Sequence, residues 1–453
     1  MVYTQSGTIP NNRDLVNSAR LGKGSPYTTH SCCIEKDGKR WLMRNNDQRR
    51  LARVNCTQLN ADSIPANLLV ANDQYFDIQV TGAPVHTLEW IVLHTVVTNT
   101  DAAIDGIPML PFWFFNRVEC MANGGFADDI IYPIQWYLDF LGTLTPEQKT
   151  MLSWAMGMEA KNSASLTAAS TEWTIYDEYT NALSPLESKN YYIPFNNNFL
   201  VQANAWLKSK SVNPKFRFYC SVNPVCSDTN APNPIPASML LMTSAEFIVG
   251  GIIFNPDIAE RINKYYMSGV TLSRVMLHER QIFDLTSWSP GVESSDQSLT
   301  GFNGEFSAMW FYVSRGEASR EQLYASNRTA TAATVGWLPL QRVSLKDSSG
   351  NPVMFLNMGA ELLKNVFPAK QYPHLMLGAY KDIFYFPFSM CGAQEDKDGI
   401  ASGGIQFDAK FQLQITPQAY TVGATTSWKN TVCAKRIGLL CLTDKGEFKI
   451  TKL

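Results

Sequence analysis

Pro111-Phe-Trp-Phe-Phe-Asn-Arg-Val-Glu-Cys-Met-Ala-Asn-Gly-Gly125 is the stretch on which the reading of this chain turns. Aromatic residues crowd its first half, as suits a pleated and half-buried surface, and it closes on Asn123-Gly124, a pair that tolerates positive φ in a tight hairpin. A strand followed by a turn is therefore predicted. Similar runs recur on both sides. Tyr75 to Val80, Thr87 to Thr98, Phe112 to Met121, Tyr191 to Leu200 and Phe216 to Val222 form one set. Val270 to Leu285, Glu305 to Ser314, Trp337 to Leu345, Ile383 to Ser389, Gly404 to Thr416 and Ile437 to Leu453 form a second. Each is punctuated by Pro, Gly, Asn or Asp, which marks a mainly β chain. Helices are few. Thr145-Pro146-Glu147-Gln148 is a capping box that predicts a helix to about Glu159. Asn255-Pro256 starts another that stops at Gly269, and a third follows Asn357 and ends before Pro368.

The two sets share an order. Glu89-Trp90, Arg117-Val118, Asn123-Gly124, Ile193-Pro194-Phe195 and Phe216-Arg217-Phe218 are followed by Met309-Trp310, Arg342-Val343, Ser349-Gly350, Phe386-Pro387-Phe388 and Phe411-Gln412-Leu413. The first half is longer between its second and third anchors, where the capped helix and its Ser/Ala/Thr-rich sequel sit, so one insertion accounts for the drift in spacing. A duplicated β unit is predicted. The expected division is an N-terminal arm over 1–64, a first unit over 65–236 and a second over 237–453. Its second boundary falls in Asn230-Ala-Pro-Asn-Pro-Ile-Pro236 or just after the strand that follows.

Composition agrees with a packed protein: of 453 residues, 45% are hydrophobic, 17% charged and 12% aromatic. The net charge of −2 gives no general affinity for nucleic acid, but it is unevenly spread. Residues 1–60 hold ten Lys or Arg against four Asp or Glu, a charge of +6, which leaves −8 for the rest. Within that stretch Lys39, Arg40, Arg44, Arg49, Arg50 and Arg53 surround Trp41 and Leu42, a candidate contact for an anionic surface, the alternative being a solvated basic hairpin. Met239 to Phe254 is the most apolar run, but Glu246 interrupts it and it is short of the roughly 20 residues of a spanning helix. The N-terminus shows no secretory pattern, and the nine cysteines match no zinc spacing, so buried free thiols are expected.

A search for chemistry returns nothing specific. Five histidines, His30, His86, His94, His278 and His374, form neither HExxH nor HxH. His86 and His94 have the parity to share a strand face, which points to a core or surface pair before a site. No nucleophile elbow or phosphate loop is present. Asp128-Asp129 and the many Trp and Tyr residues raise the possibility of a carbohydrate-binding protein or glycoside hydrolase built of two β-sandwiches. Adjacent acids on a strand point to opposite faces, however, and aromatic residues at strand spacing fill sandwich cores. No catalytic, cofactor-binding or metal-binding residue is assigned, and no cofactor is expected.

The segment from Pro111 to Gly125, followed by a helix and then Tyr191-Tyr-Ile-Pro-Phe195, resembles the first jelly roll of double jelly-roll major capsid proteins. These form the shells of tailless icosahedral double-stranded DNA viruses, including adenovirus hexon, virophages and large nucleocytoplasmic viruses. Phe384-Tyr-Phe-Pro-Phe388 and Ser402-Gly-Gly-Ile-Gln-Phe-Asp-Ala-Lys-Phe-Gln-Leu-Gln-Ile-Thr416 resemble closing strands of the second, and the likeness covers about 65–453. It implies an all-β chain of two consecutive eight-stranded jelly-roll sandwiches with a few short helical inserts. It further implies a non-enzymatic homotrimer of pseudo-hexagonal outline that meets neighbouring capsomers, vertex (penton) proteins and minor capsid proteins in a virion assembled inside the host cell and not secreted. Inserts at Leu141 to Lys189, Ser287 to Gly304 and Gly316 to Val335 would reach outward or between capsomers. Residues 1–60 would lie at the inner base, near an internal membrane or the genome.

Overall fold

The computed structural model describes residues 33–36, 39–42, 47–55, 58–59, 74–103, 106–108, 111–136, 139, 184–195, 198–203, 205–207, 212–220, 225–227, 240–254, 256, 259–260, 263–264, 271–285, 296–315, 340–353, 358–359, 362–366, 383–388, 404–408, 410–417, 428–443 and 445–453. Strands dominate them. The first half runs β1 (Cys33–Lys36), β2 (Lys39–Leu42), β3 (Asp47–Asn55), β4 (Gln58–Leu59), β5 (Tyr75–Gln79), β6 (Thr87–Asn99), β7 (Gly106–Pro108), β8 (Phe115–Met121), β9 (Asp129–Ile131), β10 (Ser188–Pro194), β11 (Lys215–Cys220), β12 (Val225–Ser227) and β13 (Leu240–Phe254). The second runs β14 (Thr271–Leu285), β15 (Gln297–Ser298), β16 (Asn303–Arg315), β17 (Leu340–Lys346), β18 (Met358–Gly359), β19 (Phe384–Pro387), β20 (Ile405–Asp408), β21 (Gln412–Pro417), β22 (Trp428–Leu442) and β23 (Phe448–Lys452).

Each half is a sandwich of one long-strand and one short-strand antiparallel sheet. In the first, the orders are β3-β13-β6-β10 and β4-β5-β11-β8-β9; in the second, β14-β22-β16-β19 and β15-β21-β17-β18, with β20 and β23 added beside β16 and β22. Leaving aside β4, β20, β23 and the small pairs β1-β2 and β7-β12, each half contributes eight strands among the described residues. Counted in chain order, they pair as 1-8-3-6 and 2-7-4-5 in both halves. The topology is duplicated, with first and last strands side by side as two Greek keys require.

Sheet membership bears on the expected boundaries. β13 lies between β6 and β3, pairing Glu246 with both His94 and Asn55, so a division at 236 would cut a central strand from its own sheet. An arm ending at 64 likewise takes in β3, the edge strand of the same sheet. The run from Met239 to Phe254, weighed as a membrane candidate, contains β13, and no helix among the described residues is long and apolar enough to cross a membrane.

Several expected strands are interrupted for local reasons. Phe112 to Met121 begins as the 3-10 turn Pro111–Phe114 before β8. Tyr191 to Leu200 ends as a strand at Pro194, and Asn198 then caps the helical turn Phe199–Gln202 by accepting from Leu200 and Val201 N–H. Gly404 to Thr416 divides into β20 and β21 where the Asp408 carboxylate accepts the Lys410 N–H. Asn123-Gly124 forms the predicted turn, with a positive φ of 74° at Gly124, and the repeat anchor Ser349-Gly350 forms one as well, with 81° at Gly350. The described positions from 256 to 264 are helical, and a π-helical turn, Leu362–Val366, stands where the third helix is expected. The helix from Pro146 to Glu159 lies outside the described residues.

The first core is built on aromatic side chains from both sheets. Phe195 sits 5.4 Å from Phe216, 5.9 Å from Phe247 and 4.8 Å from Trp136. The second gathers Phe311, Phe384, Phe386, Leu413, Ile415 and Trp428. The first core does not stop at its own sandwich: it continues into Trp310, Tyr385 and Cys433 on the outward face of β16, β19 and β22. The two sandwiches are therefore joined through buried surface.

Candidate assembly site

The junction starts from an edge problem. β14 is the edge strand of its sheet, so alternate N–H groups point away from the ladder and need acceptors. Side chains of the first sandwich supply them: Gln202 Oε1 accepts Met276 N–H at 2.8 Å and Asp129 Oδ1 accepts His278 N–H at 2.7 Å. Gln135 Nε2 donates to Glu279 O at 3.2 Å. Further along, the Asn123 side chain donates to Phe448 O at 2.6 Å and accepts Phe448 N–H at 3.1 Å, so the first hairpin turn grips β23 as another strand would.

A buried charge cluster lies at the centre. The His278 Nδ1 is 3.0 Å from Asp129 Oδ2 and its Nε2 is 2.9 Å from Asp139 Oδ2, while Lys435 pairs with the other Asp139 oxygen. Both ring nitrogens face carboxylate oxygens, so both must donate and the ring is an imidazolium. Burial alone would lower the His278 pKa, but the two carboxylates outweigh it and hold the pKa at about 10. Burial would raise that of Asp139, yet Lys435 and His278 bring it below the usual carboxylate value. Cys433, beside them, is pushed up to about 12 chiefly by burial.

The void lined by Gln135, Asp139, His278, Trp310, Cys433, Ala434 and Lys435 is about 10 Å³. That is at the lower limit for one water and far too small for a substrate. The ring stands between the two carboxylates rather than beside them, and among the described residues no His, Cys, Asp and Glu side chains converge to hold a metal ion. What this cluster can do is clamp.

The corresponding face of the first sandwich is arranged differently. On the outward side of β6, β10 and β13, His94 lies 2.8 Å from Glu246 and 3.0 Å from Asn190 and stacks on Tyr192 at 4.5 Å. Trp90, Val92, Val96 and Ile248 are only half-buried there. Trp90 lies flat over Gly250, where an added Cβ would stand 2.1 Å from the ring. On the short-strand sheet, buried Asp77 takes both Lys215 and Arg217, and Arg217 and Arg117 cover the rings of Tyr75 and Tyr219. Phe126, at the tip of the hairpin that carries Asn123, is 98% exposed.

Residues singled out in the sequence are dispersed. Lys39 and Arg40 lie on β2, paired among the described residues with β1, whereas Arg49, Arg50 and Arg53 lie on β3 opposite Ile252, Gly251 and Ile248; Arg44 is outside the described residues. His86 and His94 do not pair: His86 Nδ1 accepts Phe254 N–H and its ring stacks on Trp206. Asp128 and Asp129 turn to different partners, Asp128 accepting Ala122 N–H at 2.7 Å, so they do not flank a common cleft. Cys120, Cys220 and Cys433 are buried free thiols, and Cys441 is a partly exposed one. Gln135, Asp139 and Lys435 were not singled out by sequence. Their signal is tertiary, since Asp139 meets His278 139 residues away.

No family model matches the sequence, and no curated protein matches it. Solved structures do. VP54 of PBCV-1, fitted into a reconstruction of the virophage Sputnik, is 12% identical with a TM-score of 0.59, covering 89% of this chain and 96% of that one. The Faustovirus major capsid protein is 9% identical with a TM-score of 0.56, covering 87% and 90%. The chain has the double jelly-roll fold. A Sputnik virophage structure matches this double jelly roll at 11% identity over 92% of this chain and 91% of that one, with a TM-score of 0.57.

Proposed function

We propose that this double jelly-roll chain is a major capsid protein, a structural subunit that trimerises into pseudo-hexagonal capsomers and tiles an icosahedral viral shell. The observation that carries the reading is the tandem itself: two sandwiches of one topology, fastened by a buried junction, in the fold of the Faustovirus major capsid protein. Three such chains place six similar sandwiches round one axis, and closed cyclic symmetry is how one chain covers a surface with repeated contacts. Its partners are further copies, neighbouring capsomers, vertex (penton) proteins and minor capsid proteins. Lys39, Arg40, Arg44, Arg49, Arg50 and Arg53 contribute the basic side that meets an internal membrane or the genome. The site of action is the virion, assembled inside the host cell, and no catalytic step enters this function.

Light scattering and negative-stain electron microscopy of the purified full chain test it. A mass of three chains and pseudo-hexagonal particles are expected; a monomer at every concentration would sink the reading. Saturable binding on a glycan array by such a monomer would favour a carbohydrate-binding protein instead.

A further inference from the structure

We propose that the outward face of the first sandwich's long-strand sheet binds the π-helical turn Leu362–Val366 of a second copy of this chain, repeating between copies the junction that joins the halves within one copy. This rests on the self-assembling role proposed above and names the surfaces that carry it.

The strand registers set the two halves on a common scale. Val118 pairs with Ile131 and Val343 with Met358, each from the fourth to the fifth strand of its sandwich. Four and eight residues beyond Ile131 come Gln135 and Asp139, the side chains that reach across the junction. Leu362 and Val366 stand four and eight residues beyond Met358, and they are 43% and 42% exposed. The two positions that dock in one half are thus apolar and exposed in the other.

The receiving faces correspond in the same way. Trp310 pairs with Tyr385 and Cys433, and His94 pairs with Tyr192 and Glu246, so these triplets occupy matching places. Two residues past Cys433 is Lys435, which lies opposite His278; two past Glu246 is Ile248, opposite Arg53. Lys435 holds Asp139 inside the chain. Its counterpart is Ile248, and the counterpart of Asp139 is Val366. The ion pair of the internal junction is replaced on both sides by apolar residues, which is how two surfaces that meet would change together. A contact joining the first unit to the second in one direction leaves one complement unused at each end, and repeating it between copies closes a ring or propagates. Three chains joined this way alternate internal and intermolecular junctions.

The test uses the full chain. Val366→Asp and Ile248→Lys are each expected to reduce the mass threefold, from trimer to monomer, with the far-UV spectrum unchanged. The double variant recreates the Asp–Lys pair of the internal junction and is expected to restore the trimer. As a check that does not depend on disruption, Ile248→Cys with Val366→Cys should give a covalently linked trimer under oxidised glutathione on a non-reducing gel, whereas either single cysteine should not. A trimer that keeps its mass with Val366→Asp, or that fails to cross-link through the cysteine pair, overturns this surface and leaves the capsid reading standing. A wild-type chain that is monomeric throughout overturns that reading and this inference together.

Discussion

β6 and β16 hold the same place in their sandwiches, the third strand of eight, but their surroundings differ. Along β16 the outward residues Ala308 and Trp310 are as buried as the inward Met309 and Phe311. Along β6 the inward residues are buried while Trp90, Val92, Val96 and Thr98 remain half-buried. Each face also carries a histidine bracketed by two oxygen-bearing side chains, His278 by Asp129 and Asp139, His94 by Glu246 and Asn190. The topology being equal, the difference lies in what covers the outward face. One face is covered within the chain, and the other is left half-buried.

The comparison is broken most severely at His278. His278→Ala leaves Asp129 and Asp139 buried without the cation between them, and the expected loss is ~3–5 kcal/mol in urea unfolding. A loss below about 1 kcal/mol would show that the cluster is solvated and not a clamp.

Alkaline pH tests the same point without mutation. His278 titrates near 10 in the folded chain and near 6.5 when unfolded, so between these values the folded state holds the extra proton. The cluster's contribution is complete below about pH 6.5 and is lost as pH rises through about 10, on the order of 5 kcal/mol in all. Cys433, titrating near 12 when folded, adds a loss in the same direction at higher pH. Unfolding midpoints between pH 6 and 10 should fall, and the fall should be shallower in His278→Ala.

On the corresponding face of the first sandwich the effect should be smaller. His94→Ala removes part-buried hydrogen bonds and is expected to cost ~1 kcal/mol in the monomer. It should weaken the proposed trimer by more than that, as read by its dissociation on dilution.

The smallest effect on folding is expected from deleting residues 1–46, which leaves β3 in place. The unfolding free energy should change by less than ~0.5 kcal/mol, while association with anionic liposomes in a flotation assay should be lost. Retained association would remove the role given to Lys39, Arg40 and Arg44.

Much of the fold was legible because it is written in local chemistry. The strand runs, the two turn glycines and the repeated order all follow from aromatic spacing and backbone tolerance. The places where reading failed are places where tertiary context decides. Trp90 was matched to Trp310 by identity, but the registers set His94 opposite Tyr192 as Trp310 is set opposite Tyr385, four residues further on. Residue type at those positions follows what the face meets rather than the strand it belongs to. The opposite orientations of Asp128 and Asp129 could be foreseen from strand parity, whereas the partner of Asp129, 149 residues away, could not. The Pro-rich stretch before β13 looks like a linker, yet it precedes the strand that completes the first sandwich.

The grip of Asn123 on Phe448 joins positions 325 residues apart. Such a contact forms late, because the chain between its ends must first be ordered. As the chain leaves the ribosome, β3 must wait for β13 before its sheet can close, and the turn at Asn123 must wait for β23. A nascent or truncated chain can therefore own a finished first sandwich and still lack the fixed angle between the two halves. If the chain assembles as proposed and assembly requires this angle, only chains whose last hairpin has been made would be admitted, and the order of synthesis would itself screen out incomplete subunits.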